Sequence, residues 1–309
     1  MRGEGGGRPP WAHLPEGLRE AVGRVLGGPV VAARSQAGGF SPGSADRVRT
    51  AAGERAFVKA VDAVRHPGSA DLHRREAGVL ALLPSGLSVP RLLAVVEEAG
   101  WLALVTEDVD GRTPELPWRR DELDAALAAF DVLTGHVPAG ELEARLPPAR
   151  DDLTEELDGF ARLSDDPPGD LDPWVAERVD ELAALGRRGT EALEGDRLLH
   201  TDVRADNLLV LRRGGVAVVD WPYAVRGAPF FDVLGLLLNV RLWDPALDAD
   251  GLLDGHCPGA GDAATAVLAG MAGMFIDNAR KPAPEGLPRL RVFQAAQGAA
   301  AVVWLRERW

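Results

Sequence analysis

The 309-residue chain has one cysteine, Cys257, and two lysines, Lys59 and Lys281. A single thiol excludes an intrachain disulfide and any thiolate-rich zinc site. No stretch approaches the roughly 18 to 20 uninterrupted apolar residues of a membrane span, and the opening MRGEGGGRPPW has no apolar middle segment of a secretory signal. A cytoplasmic protein without a membrane partner is the expectation. A basic stripe is missing too: 47 Asp and Glu outweigh 34 Lys and Arg for a net charge of −13. Nothing there matches a polyphosphate backbone, so no nucleic-acid partner is expected.

The acidity sits in one block. Residues 110–196 carry 23 acids against 9 Arg, while the rest carries 24 acids against 25 bases. Such a block either solvates exposed helical faces or provides a field for a cationic ligand, and the sequence leaves both open. The bases are almost all Arg. An ammonium differs from a guanidinium in shape and hydration, so Lys59, in a chain that otherwise uses Arg, draws attention to a lysine-specific role. With 46% hydrophobic residues, the chain can bury one large core or two modest ones.

Residues 1–14 are Gly- and Pro-rich and are expected to be disordered. Over 15–107 the pattern gives a short helix in PEGLREAVGRVLGG, a strand, the Gly-rich loop GGFSPG, a two-strand hairpin ending in RAFVKAV, a helix over about 70–83, and a second hairpin turning at Glu98, Ala99 and Gly100. Five strands and a key helix make a small antiparallel α+β unit. DVDGRTPELP reads as a linker. Residues 108–309 turn mostly helical, with helices expected at about 119–135, 151–163, 173–194, 261–279 and 286–307.

One stretch interrupts those helices: LLHTDVRADNLLVLRRGGVAVVDW, residues 198–221. It reads as a hairpin with strands at 208–211 and 216–219, turning over Arg212 to Gly215. Antiparallel pairing brings Asn207, before the first strand, and Asp220, after the second, to the same open end. An amide oxygen and a carboxylate there suit Mg²⁺, which takes one or two protein groups and fills its other positions with water and phosphate oxygens. Asp202, five residues before Asn207, is placed to accept a proton from a hydroxyl nucleophile. Each of these residues alone is as readily a turn cap. Together His200, Asp202, Asn207 and Asp220 form H-x-D-x-x-x-x-N followed after one hairpin by Asp, the arrangement of kinase-like phosphotransferases.

Upstream, the glycines of GGFSPG, with Gly39, Ser41 and Gly43, would let backbone N–H groups approach phosphate oxygens. In the next helix Leu72, Glu76, Val79, Leu80 and Leu83 share a face, which puts Glu76 on the inward stripe. A buried carboxylate needs a cation; Lys59 is the natural partner and Arg75 the trivial one. Neither lysine has the Gly before it and Ser or Thr after it that a P-loop requires. A dinucleotide-binding unit is disfavoured because these glycines lead into a strand.

On these residues the sequence resembles the aminoglycoside phosphotransferase family, small-molecule phosphotransferases of protein-kinase-like fold. The resemblance runs over about residues 15–309 and is strongest in LLHTDVRADNLLV through VAVVDWPYAVRGAPFFDVLGLLL. It implies a two-lobed α+β fold: an N-lobe over 15–107 with a five-stranded antiparallel sheet, and a mostly helical C-lobe over 108–309. It also implies ATP and Mg²⁺, with Asp202 as catalytic base, Asn207 and Asp220 as metal ligands, and Lys59, positioned by Glu76, on the ATP phosphates. Glu107 to Val109 would offer backbone groups to adenine, and His200 and Asp232 would brace the catalytic loop. Arg204 either steadies the transferring phosphoryl group or is a surface ion-pair partner. Trp221 stands where protein kinases have Phe-Gly, and no activation segment follows, so control by loop phosphorylation is not expected. The implied partners are a nucleotide triphosphate and a small hydroxylated acceptor, with a cationic one among the options; aminoglycosides, macrolides, choline-like amines and sugars all stay open. A catalytically silent nucleotide-binding or scaffold protein is the alternative. A monomer is expected, with a dimer left open.

Overall fold

The computed structural model describes residues 8–36, 42–284 and 287–309. A 3-10 turn at Trp11–His13 leads into α1 (Glu16–Val25), β1 (Val30–Ser35), β2 (Ser44–Thr50), β3 (Arg55–Asp62), α2 (Pro67–Leu80), β4 (Leu92–Glu98), β5 (Trp101–Glu107) and β6 (Gly111–Arg112). Then come α3 (Arg120–Thr134), α4 (Glu141–Arg145), α5 (Ala149–Asp152), α6 (Thr154–Leu157), α7 (Gly159–Asp165), α8 (Pro173–Glu191), β7 (Arg197–Leu199), β8 (Leu208–Leu211), β9 (Val216–Val218) and β10 (Val225–Gly227). Four helices close the chain: α9 (Phe230–Arg241), α10 (Ala249–His256), α11 (Gly261–Ala279) and α12 (Leu290–Arg308). The chain divides into two units. The first holds the chain up to Thr113 together with Asp206–Tyr223 and Pro284–Pro288; the second holds Pro114–Ala205, Ala224–Ala283 and Arg289–Trp309.

The first unit is organised by a five-stranded sheet of order β1-β2-β3-β5-β4, antiparallel at every pairing. Alternation along β3 decides which residue meets which helix. Ala56, Val58 and Ala60 join Leu18 and Val22 of α1 in one core, while Val61 packs with Ala70 of α2. Lys59 falls on the α2 side. Leu18 and Val22 are fully buried, and each such aliphatic side chain contributes about 1.5–3 kcal/mol relative to exposure. The same core takes in Trp11 and Leu14, 7% and 2% exposed. The expected disorder through residue 14 is therefore corrected for its last part: a buried indole anchors the chain before α1 begins. Helix α2 starts at Pro67 and ends at Leu80, three residues earlier at each end than the periodicity suggests. Pro67 has a fixed φ that suits a first helical turn.

The same unit holds a three-stranded sheet of order β6-β8-β9. β8 pairs with β9 in the register Leu208↔Val218, across a turn whose Gly214 and Gly215 have φ of 88° and 82°. Only glycine adopts two such angles in succession without steric cost. β6 pairs through Gly111↔Leu211, so the segment expected to be a linker supplies an edge strand. A Cβ on Gly111 would sit 3.0 Å from the Val210 carbonyl oxygen, which is why this strand can lie so close.

In the second unit α11 is apolar nearly all round, with Ala264, Val267, Leu268, Ala269 and Ala272 buried, as befits a central helix. Its neighbours approach through glycine: a Cβ on Gly159 would lie 2.2 Å from the Gly273 backbone, and one on Gly189 would lie 2.4 Å from the Ala266 carbonyl oxygen. The single helix expected at 151–163 is instead α5, α6 and α7, broken at Leu153 and Asp158. β7 and β10 pair antiparallel through Leu199↔Val225. Among the described residues no helix is long and apolar enough to cross a membrane.

Candidate active site

The first unit gathers Lys59, Glu76 and Asp220. The Lys59 ammonium donates to Glu76 Oε1 at 2.9 Å, to Glu76 Oε2 at 2.8 Å and to Asp220 Oδ1 at 2.8 Å. A lysine has three N–H donors, so these contacts engage all of them. Burial pulls the ammonium down, but the carboxylates of Asp220 and Glu76 outweigh it and hold the group above its usual value. Glu76 is 2% exposed. Burial pushes its carboxyl up, opposed by the Lys59 charge and by the backbone N–H of Trp221. The expected pairing is therefore present, and Arg75 is not needed for it. Trp221, fully buried, donates its indole N–H to the Val218 carbonyl at 2.9 Å. That residue thus ties the hairpin end to α2.

Asp220 holds φ of 71°, a left-handed conformation costing a non-glycine residue of order 1–3 kcal/mol unless its surroundings impose it. The register of β8 and β9 ends on a bond from the Val219 N–H to the Asn207 carbonyl at 2.9 Å. Asn207 is 3% exposed, whereas the Asp220 side chain is 35% exposed. One amide and one carboxylate, from the two ends of one hairpin, are hard oxygen donors of the kind Mg²⁺ takes. No three His, Cys, Asp or Glu side chains form a metal-binding group among the described residues, so a metal here would rest on two protein oxygens. The residues fit that cation.

Of the glycine loop, Gly39 and Ser41 lie outside the described residues. Gly43 immediately precedes β2, where a Cβ would meet the Ala60 carbonyl oxygen at 2.3 Å; glycine is required by that approach. Glu107 ends β5 with its N–H bonded to the Arg91 carbonyl at 2.9 Å, and the Val109 carbonyl accepts from the Gly111 N–H at 2.9 Å. Between them Asp108, its side chain 3% exposed, pairs with Arg55 at 2.6 Å and Arg47 at 3.4 Å.

The second unit holds His200, Asp202, Arg204 and Asp232. Asp232 is fully buried on the first turn of α9. Its Oδ2 accepts from the His200 N–H at 2.7 Å and its Oδ1 from the Thr201 N–H at 2.9 Å. Burial raises its carboxyl, opposed by His200 and these two backbone donors. Thr201 is held at φ of 66°. Asp232 is thus a backbone clamp on the segment leading to Asp202. Asp202 accepts from Arg204 Nη1 at 2.6 and 2.9 Å, with the two side chains 22% and 15% exposed.

Three residues of the first unit escape the sequence reading. His73, one turn before Glu76 and 6% exposed, is pulled down to about 4 by burial and by Lys59, with Asp220 opposing. Asp46 is fully buried and accepts from the Ser35 hydroxyl at 2.6 Å. Arg8 lies within electrostatic range of Asp220, Asp206 and Asp46. His73 could have been found on the buried stripe of α2, but nothing in GGGRPPW marks Arg8.

A model described as the phosphotransferase enzyme family matches residues 39–269. No curated protein sequence matches the chain. Among solved structures, a thermostable mutant of aminoglycoside phosphotransferase APH(4)-Ia, in ternary complex with ADP and hygromycin B, is 17% identical with a TM-score of 0.60, over 94% of this chain and 98% of that one. Spectinomycin phosphotransferase APH(9)-Ia, in complex with ADP and spectinomycin, is 10% identical with a TM-score of 0.60, over 94% and 98%. Choline kinase LicA from Streptococcus pneumoniae is 16% identical with a TM-score of 0.59, over 94% and 97%. At these identities the likeness is one of fold.

Proposed function

The chain belongs to the phosphotransferase enzyme family, and from that premise we propose that it moves the γ-phosphoryl group of ATP to a hydroxyl of a small, positively charged molecule. The Lys59 clamp carries this reading. An ammonium held charged between a helix carboxylate and the carboxylate at a hairpin end is a fixed point for neutralising phosphate charge. ADP in the complexes of two fold neighbours supports a nucleotide donor. Hygromycin B, spectinomycin and choline, named with those three proteins, support a small acceptor. The acidic block over 110–196 supports a cationic one.

In this reading Asp202 aligns the acceptor hydroxyl and takes its proton. The acceptor oxygen bonds to the γ-phosphorus, and the bridging P–O bond breaks with its electron pair leaving on ADP. Arg204, bonded to both Asp202 oxygens, sets the orientation of that carboxylate and adds positive charge for the transferring group. Asp232 keeps the backbone before Asp202 in its left-handed turn. Mg²⁺, when held by Asn207 and Asp220, would offset β- and γ-phosphate charge. The chemistry is mainly positioning and charge neutralisation. ATP supply assigns the proposed reaction to the cytoplasm, and one copy of the chain contains every residue named.

The test is a panel of hydroxylated amines, aminoglycosides, macrolides and sugars incubated with protein, ATP and Mg²⁺, read by mass spectrometry. A cationic acceptor gaining one phosphoryl group is the expected result. ATP binding with no acceptor modified across the panel would refute transfer and leave a nucleotide-binding scaffold.

A further inference from the structure

The face of the sheet that carries Lys59 also settles where the rest of a nucleotide can lie. Ala45 and Leu104 pair with Lys59, and Arg47 and Thr106 pair with Phe57. Residues directly opposite share a face, and alternate residues of one strand return to it, so both rows stand on the Lys59 side, about 7 Å apart along β3. In one direction that face is closed: Val61, fully buried, packs with Ala70 of α2. In the other it is open, since Phe57 is only half-buried. A donor whose phosphates meet Lys59 therefore extends along β3 past Phe57, toward the linker that follows β5.

Arg47 holds that linker at two points. Its Nη2 donates to the Gly111 carbonyl at 3.1 Å, and its Nε lies 3.4 Å from Asp108 Oδ1. The other Asp108 oxygen accepts from Arg55 Nε at 2.8 Å. A carboxylate with its side chain 3% exposed is expensive to bury unless it is paired, and two guanidinium groups, one from β2 and one from β3, meet that need. The ends are fixed by backbone bonds: the Glu107 N–H donates to the Arg91 carbonyl and the Gly111 N–H to the Val109 carbonyl, both at 2.9 Å. Residues 107–111 thus have little freedom, which is what base selection requires. Adenine presents an amino donor where guanine presents a carbonyl acceptor, and backbone groups held to within about 0.5 Å discriminate between them. Arg47 can serve two acceptors at once because a guanidinium is a planar fork; an ammonium is a point charge.

We infer that Arg47 is a positioning residue of the nucleotide site: through Asp108 and Gly111 it fixes the linker backbone that selects the base of the phosphoryl donor. The inference rests on the phosphotransferase reading above and deepens it, assigning the choice of purine to a side chain on β2 that acts through the linker and not on the phosphates. As a structural brace alone, Arg47 would contribute to the melting midpoint and leave the preference between bases unmoved.

Isothermal titration of the full chain with ATP, GTP and inorganic tripolyphosphate, each with Mg²⁺, separates these roles in wild type, Arg47→Ala and Arg47→Lys. Wild type should prefer one of the two nucleotides. Arg47→Ala should weaken the preferred one about tenfold, a difference of about 1.4 kcal/mol, and leave the other nucleotide and tripolyphosphate within about twofold, so that the preference narrows. Arg47→Lys, which keeps a charge for Asp108 but not the second contact to Gly111, should fall between. Should Arg47→Ala fail to fold, Asp108→Asn, which keeps the outline of the side chain and removes its charge, must narrow the same preference. An ATP-to-GTP ratio left unchanged by the variant that folds overturns the inference, as does an equal loss for nucleotides and tripolyphosphate, or a wild type that binds ATP and GTP alike. These outcomes remove only the assignment of Arg47. A wild type that binds no nucleotide overturns this inference and the phosphotransferase reading together.

Discussion

Removing Glu76 tests the clamp on Lys59 where its energy can be reckoned. Glu76 is 2% exposed and Lys59 18%, with both carboxylate oxygens within 2.9 Å of the ammonium. Breaking a buried pair by deleting one partner costs about 3–5 kcal/mol, because the other charge is left buried without its counter-charge. Here Lys59 keeps Asp220 at 2.8 Å, so Glu76→Ala should fall at the lower end, about 3 kcal/mol. For a chain of this size that lowers the melting midpoint by roughly 5 °C. A double-mutant cycle of Glu76→Met and Lys59→Met isolates the pair. Lys59→Met should be the more damaging single change, since it leaves Glu76, 2% exposed, without a counter-charge, whereas Glu76→Met leaves Lys59 paired with Asp220 at 2.8 Å. The double variant should regain about 1–3 kcal/mol over the sum of the singles, two apolar side chains having replaced two charges. Scanning calorimetry with denaturant unfolding at constant salt supplies the values. A coupling energy below about 0.5 kcal/mol, within the scatter for independent sites, would refute the reasoning.

His73 makes the first unit acid-sensitive: with its folded-state pKa at about 4 against the ordinary value of about 6.5, the unfolded chain takes up the proton first as pH falls. Its stabilising share is present above about pH 6.5 and lost toward pH 4, about 2 kcal/mol of it between pH 7 and pH 5; His73→Leu should remove that slope in unfolding midpoints, and an unchanged slope would contradict it. In the second unit, burial pushes Asp277 up, but Arg162, Lys281 and Arg280 overcome it and hold the carboxyl at about 2. The lowered value stabilises the fold above about pH 3.8 and fades toward pH 2, about 2 kcal/mol in all, and Asp277→Asn should abolish that acid limb. Gly43→Ala should cost more than about 1 kcal/mol and weaken ATP binding, because the added Cβ meets the Ala60 carbonyl at 2.3 Å; unaltered binding would show that this approach is not needed for nucleotide.

Much of the fold was legible where local pattern and tertiary environment agree. The sheet strands declared themselves by β-branched alternation and by Gly-marked turns, and Glu76 by standing on an otherwise apolar stripe. Lys59 stood out against a background of arginine, and His200, Asp202, Asn207 and Asp220 by spacing. Where burial surrounds an element, the pattern fails: α9 is buried on nearly every side, so no amphipathic period marks it, and β7 and β10 are three residues each. The break at Asp158 reflects a tertiary contact, Gly159 against Gly273, that no local signal announces. Arg8 and Trp11 were lost for a related reason. Their segment has the composition of a disordered tail, and only the core beneath the indole, built from α1 and four strands, gives it a place.

Transfer of a labelled γ-phosphoryl group from ATP to an acceptor, followed for wild type beside Asp202→Ala with nucleotide affinity measured on both, tests the central claim most directly. The account predicts labelled acceptor from wild type, a rate lower by about 10²–10⁴-fold in the variant, and ATP affinities equal within about twofold, since Asp202 acts on the acceptor hydroxyl and not on the nucleotide. Equal transfer rates in the two proteins, or ATP bound by wild type with no acceptor labelled, would contradict it.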